Sequence, residues 1–144
     1  MSMSGMKNHK IKSTFNRVYQ FSAAHRLHNP LLSTRANQEI YDKCNNSHGH
    51  GHDYKLEVTI MGEIDSESGM IIQLEEFDSK VNSVLKTLDH HHLDMEIAFF
   101  KNHVSTGEII IQFLWQKLNK RFPSGMLFKL KLWETNNNYF EIKD

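Results

Sequence analysis

The stretch Cys44-Asn-Asn-Ser-His48-Gly-His50-Gly-His52 gathers a thiol and three imidazoles in one short run of chain. Side chains two apart on an extended strand point the same way, so His50 and His52 can share one metal ion. Zinc accepts neutral imidazole nitrogen at about 2.0–2.1 Å, and a catalytic zinc typically takes three protein ligands and keeps a fourth position for water or substrate. His25, at the end of an earlier strand, supplies the third ligand if the two strands are neighbours. The intervening glycines permit close backbone approach. A solvated histidine-rich loop is the plain alternative, but pairing at strand spacing beside an apolar row favours the metal. Cys44 has three readings: a fourth ligand that closes the site, a nucleophile or base beside an open one, or an inert thiol. A free thiol titrates at about 8.5 and is lowered by a nearby cation or metal. Its neighbours Lys43, Asn45, Asn46 and Ser47 make a poor place to bury it.

Two further groups carry chemistry. In Asp89-His90-His91-His92-Leu93-Asp94 the aspartate next to His90 can orient the ring and raise its basicity, although helix C-termini also attract histidine through the dipole. Glu134 continues the parity of Phe128, Leu130 and Leu132, which places a carboxylate at the end of a core-facing row. An unpaired buried carboxylate is costly. It suits a ligand edge with two parallel N–H groups, such as a pterin or guanine ring, unless it lies in water or caps a backbone. Glu108 has a local explanation, because Ser105-Thr106-Gly107-Glu108 has the spacing of a capping box.

These residues need elements to position them. Phe15, Tyr19, Phe21, Ala23 and His25 share one parity, broken at Arg17, which predicts a first strand from Phe15 to His25. Asn29-Pro30 breaks the chain, and Leu31 to Tyr41 fits a short helix. His52, Tyr54, Leu56, Val58 and Ile60 alternate strictly with polar residues, and extending this strand back puts His50 on the same row. Leu74, Phe77, Val81, Val84, Leu85 and Leu88 recur at helical spacing, with the helix ending near Asp89-His90. A second helix starts around Ser105 and carries Ile109, Ile110, Phe113, Leu114 and Leu118 inward until Pro123. Phe128 to Trp133 and the segment through Phe140 and Ile142 form a hairpin around Asn136-Asn137-Asn138. The order predicts an α+β domain, an antiparallel four-stranded sheet with two helices on one face.

The chain has 144 residues, room for one domain: residues 1–13 read as a flexible leader and 14–144 as a single domain. Lys plus Arg (17) equals Asp plus Glu (17), so no global field attracts nucleic acid or an anionic membrane surface. No apolar stretch approaches the roughly 18 residues of a membrane span. One cysteine and a polar start without an apolar signal core point to a reducing, cytoplasmic setting.

From Phe15 to Lys143 the chain resembles the 6-pyruvoyl-tetrahydropterin synthase family of the tunnelling fold (T-fold). The resemblance is carried by Phe21-Ser-Ala-Ala-His25-Arg-Leu, Lys43-Cys44-Asn-Asn, Gly49-His50-Gly-His52-Asp-Tyr, Gly62-Glu-Ile-Asp, Gly69-Met, Leu88-Asp89-His90, Val104-Ser-Thr106 and Trp133-Glu134-Thr, in one order. It implies a zinc-dependent phosphorus–oxygen lyase of tetrahydrobiopterin synthesis. Such an enzyme converts 7,8-dihydroneopterin triphosphate to 6-pyruvoyl-tetrahydropterin plus triphosphate, without an external redox cofactor. It further implies zinc on His25, His50 and His52, Cys44 as base supported by Asp89 and His90, and Glu134 anchoring the pterin with help from Thr106 and Glu108. The family's sheets join into a barrel, a homohexamer of two trimers with active sites between subunits.

Three features depart from the family pattern: the extra His48, Gly107 in place of a residue often able to hydrogen-bond, and the His91-His92 pair. Ligation by His48 and His50 would resemble 6-carboxy-tetrahydropterin synthase of queuosine synthesis. His50 and His52 are preferred because they continue the apolar row and precede Asp53-Tyr54. A non-catalytic module in which Cys44 completes the metal's ligand set is the alternative of another class.

Overall fold

The computed structural model describes residues 11–144. Residues 1–10 of the expected leader lie outside the described residues, and Lys12 and Ser13 already belong to the first strand. β1 (Lys12–His25) pairs antiparallel with β2 (His50–Glu63) along their whole length, from Lys12 opposite Glu63 to His25 opposite His50. Between them lie α1 (Thr34–Tyr41), capped by the Ser33 hydroxyl on the Ala36 N–H, and a 3-10 turn over Asp42–Asn45 that carries Cys44. Then follow α2 (Leu74–Leu85), β3 (His91–His92), α3 (Leu93–Glu96), α4 (Gly107–Asn119), β4 (Leu127–Trp133) and β5 (Tyr139–Lys143).

The sheet order is β3-β1-β2-β4-β5. The expected four antiparallel strands are present, but the sheet has five strands and is mixed, because β3 runs parallel to β1 at Ala23 and Ala24. A two-residue strand is too short to leave a period in the sequence. It is made by His90, whose φ of 62° turns the chain so that its N–H bonds the Ser22 carbonyl at 2.6 Å.

One core lies between the sheet and the two long helices. Phe21, Leu56 and Leu130 of the sheet pack with Phe77 and Val81 of α2 and Leu114 of α4. The opposite face shows Val18, Gln20, Asp53 and Lys55 to solvent. No described helix is long and apolar enough to cross a membrane.

Three expectations need correction. Phe128 does not share the inward row with Leu130 and Leu132; the pairing shifts between Thr59 and Ile60, so Leu127 enters the core and Phe128 is the extra residue of a bulge. Leu74 is 41% exposed, since the first turn of α2 projects past the core. The capping box is displaced: Thr106 caps α4 through the Ile109 N–H, leaving Glu108 exposed in the first turn.

Arg17, which interrupts the apolar row of β1, instead ties the strand to α2. Its Nε donates to Asp78 Oδ1 at 2.8 Å, and the Tyr19 hydroxyl donates to the same oxygen at 2.6 Å. Burial, reinforced by Asp78, pushes the Tyr19 pKa up. Asp78→Ala strands a largely buried hydroxyl and is expected to cost about 1–3 kcal/mol, toward the lower end because Asp78 is partly exposed. Urea midpoints check this, and Tyr19→Phe, which removes the donor rather than stranding it, is expected to cost less.

Candidate metal centre

The register of β1 against β2 sets His25 directly across from His50, with Ala23 across from His52. The three rings close on one another: His25 to His50 4.6 Å, His25 to His52 5.1 Å and His50 to His52 4.9 Å between centroids. His25 Nε2 lies 3.1 Å from His50 Nε2, and one nitrogen from each ring falls within 4.8 Å of the others. His25 is 1% exposed, and its Nδ1–H donates to the Ser105 carbonyl at 2.7 Å, which fixes the tautomer and leaves Nε2 for a ligand.

Two observations fit a metal here. His52 Nε2 is buried and has no hydrogen-bond partner among the described residues. Burial holds the His25 pKa down to about 4 against the opposing pull of the Ser105 carbonyl, and burial likewise lowers His52 against the opposing charge of Glu134. These rings are therefore neutral at physiological pH, the form that ligates. Three clustered imidazole nitrogens suit zinc, copper, iron or nickel better than calcium or magnesium.

His48 lies outside the cluster, exposed in the turn before β2, and it is His50 and His52 that come together with His25. Cys44 is half-buried and also outside it; its carbonyl accepts the Leu27 N–H at 2.9 Å. Its thiol makes no hydrogen bond to Asp89 or His90 among the described residues. Glu134, just beyond β4, places Oε1 3.9 Å from His52 Nε2, with its side chain 19% exposed. It is recessed beside the histidines rather than out in water.

The Asp89–His90 pair sits on the edge of β1. Asp89 Oδ1 accepts the Ser22 N–H at 2.8 Å and lies 3.0 Å from His90 Nδ1, while the His90 side chain is 82% exposed. The Ser22 N–H, helped by His90, holds the Asp89 carboxyl below the usual carboxylate range. Thr106 is occupied as the cap of α4. A Cβ on Gly107 would stand 1.9 Å from the Phe140 ring, so that ring fills the space a side chain at 107 would need. Of the extra histidines, His91 Nδ1 lies 3.2 Å from Glu96, and the His92 N–H donates to the same carboxylate.

Sequence reasoning missed the residues behind His25. Asp94 Oδ1 accepts the Ser105 hydroxyl at 2.8 Å and its Oδ2 accepts the Arg26 N–H at 2.6 Å. No periodicity links Asp94 to a histidine so far back in the chain. Tyr54 was legible as the next member of the His50–His52 row; its buried hydroxyl lacks a partner among the described residues, and burial with the charges of Glu134 and Asp94 raises its pKa.

A three-histidine cluster that could hold a metal ion, with His25 buried and a recessed glutamate beside it, lies on a sheet backed by two helices in an α+β domain. The family model for 6-pyruvoyl tetrahydropterin synthase matches residues 14–144, and the chain belongs to that family. The human 6-pyruvoyl tetrahydrobiopterin synthase is 40% identical over 135 residues, covering 93% of each chain. The Poecilia reticulata enzyme of the same name is 41% identical over 123 residues, 85% of this chain and 84% of the relative. The solved Caenorhabditis elegans 6-pyruvoyl tetrahydropterin synthase superposes with a TM-score of 0.89 at 41% identity, covering 94% of this chain and 97% of that one.

Because the fold favours neutral His25, the unfolded chain binds more protons below the free imidazole pKa of about 6.5. Chelator-treated protein is expected to lose stability as pH falls from about 6.5 toward about 4, with no contribution from this group above that window. Urea midpoints at successive pH values check this; a flat profile across the window would count against it.

Proposed function

We propose that the protein converts 7,8-dihydroneopterin triphosphate to 6-pyruvoyl-tetrahydropterin plus triphosphate, with zinc on His25, His50 and His52. The observation that carries this reading is the cluster of three imidazoles, His25 buried and His52 half-buried, with Glu134 recessed beside it, in a chain of this family. His25, His50 and His52 would hold the zinc, which would supply Lewis-acid polarisation of the substrate's side-chain oxygens and so acidify the adjacent C–H bonds. Glu134 accepts two parallel N–H groups of the pterin edge and so fixes the ring. Cys44, outside the ligand cluster, takes the proton as a thiolate base, and His90, held by Asp89, relays protons. The side chain is oxidised as the ring is reduced, so no external oxidant enters. Thr106 and Glu108 have the weaker claims, the first spent on a cap and the second exposed.

A site assembled between subunits supports the same roles. Cys44 shares no hydrogen bond with Asp89 or His90 within one chain, and His90 projects from a sheet edge. Strand edges at β3 and β5 and the open sheet face would be covered by sheets joining into a barrel, a hexamer of two trimers.

Zinc-loaded protein incubated with dihydroneopterin triphosphate is expected to yield 6-pyruvoyl-tetrahydropterin by mass; the carboxy product would place it with the queuosine relative instead. Cys44→Ala is expected to retain zinc and lose turnover by about a hundredfold or more, whereas loss of zinc and unfolding would mark Cys44 as a structural ligand. Mixing refolded Cys44→Ala and His90→Ala chains is expected to restore part of the activity if the two groups act across an interface; no recovery would place them in one subunit.

A further inference from the structure

A cavity of about 500 Å³ that the roles above leave unused is walled by Arg26, the residue after His25, together with His28, His92, Asp94 and Lys101. We propose that it binds a triphosphate chain, that of the substrate, through Arg26, His28 and Lys101. The choice of substrate rests on the function proposed above.

The donors are prepared for an anion. Arg26 Nε donates to the Asn45 carbonyl at 3.1 Å, which holds the guanidinium while its terminal N–H groups have no partner among the described residues. The buried Asn45 amide also donates to His28 Nδ1 at 3.0 Å, so the His28 proton sits on Nε2 as a donor. Lys101 Nζ spends one N–H on the Met95 carbonyl at 3.0 Å and keeps two. Asp94, the acid of the cavity, has both oxygens taken, by the Arg26 N–H and the Ser105 hydroxyl. Arg and Lys are the side chains that bind phosphate oxygens with charge-assisted hydrogen bonds.

Position selects the ligand further. Ser105 bridges the cavity and the metal centre: its hydroxyl bonds Asp94, and its carbonyl accepts from His25. On the other side Gly49 is the spacer, since a Cβ there would lie 2.8 Å from His92 Nε2 and 2.9 Å from the His25 carbonyl oxygen. Glu134 stands on the His52 side of the trio and the cavity on the His25 side. The order Glu134, histidines, cationic cavity matches the order ring, three-carbon chain, triphosphate along the substrate. The anion is thereby held away from the pterin anchor.

Inorganic tripolyphosphate titrated into zinc-loaded protein by calorimetry tests this without turnover. Lys101→Glu is expected to weaken its binding by about tenfold or more and Arg26→Gln by a similar factor, while unphosphorylated dihydroneopterin binds as to the parent. With the triphosphate substrate the loss is expected to fall mainly on KM, as for uniform binding. Lys101 is exposed, so its variant keeps the test open if Arg26→Gln does not fold. Tripolyphosphate binding that ignores both substitutions overturns the proposal, as does binding that Lys101→Glu spares but His50→Ala abolishes, which would put the anion on the metal. A protein that makes no 6-pyruvoyl-tetrahydropterin yet binds tripolyphosphate through Lys101 would refute the activity and leave the anion site standing.

Discussion

The structure depends on the antiparallel register that sets His25 opposite His50. Hydrogen bonds along the β1–β2 ladder have no preference for which residues face each other; the apolar row decides. Tyr19 lies across from Leu56 and Phe21 across from Tyr54, with the last two rings stacked 4.9 Å apart in the core. A slip of β1 by one residue would send Tyr19 and Phe21 to the solvent face and His25 with them, away from His50 and His52. Core packing thus sets the geometry of the histidine cluster, which lies at the end of the core-facing rows rather than apart from them.

Gathering three imidazoles in one cluster would be unfavourable if they carried charge. Burial favours the neutral form of His25 and His52, and the supports behind the cluster come from far along the chain. The Ser105 carbonyl, at the entrance to α4, holds His25, and Asp94 in α3 holds Ser105 and the backbone beside His25. Tight backbone approaches make room for this: Gly49 leaves space that both His92 and the His25 carbonyl approach, and Gly107 yields its space to Phe140. In each case a side chain from another element fills the volume the missing Cβ leaves.

Much of this was visible in the sequence where a period runs long enough to register. The alternation from His52 to Ile60 identified β2 and its facing, and the helical spacing from Phe77 to Leu85 identified α2. Short or irregular features escaped. β3 has two residues, the bulge at Phe128 breaks alternation by one position, and Thr106 took the cap expected of Ser105 because Ser105 was drawn toward Asp94. Arg17 read as a break in a strand and proved to be a tie to α2, since the helix that receives it is distant in sequence.

By itself, then, the sequence determined the local chemistry: which strand carries two imidazoles on one face, which helices have an apolar side, and a set of motifs that identifies the family. Those follow from residue types and periods of two or 3.6, which are properties of neighbouring positions. Only the tertiary structure decided which third histidine joins the pair, that His48 and Cys44 stay outside it, and that Asp94 and Ser105 stand behind His25. These are contacts between segments far apart along the chain, fixed by packing and burial, and no local pattern encodes them.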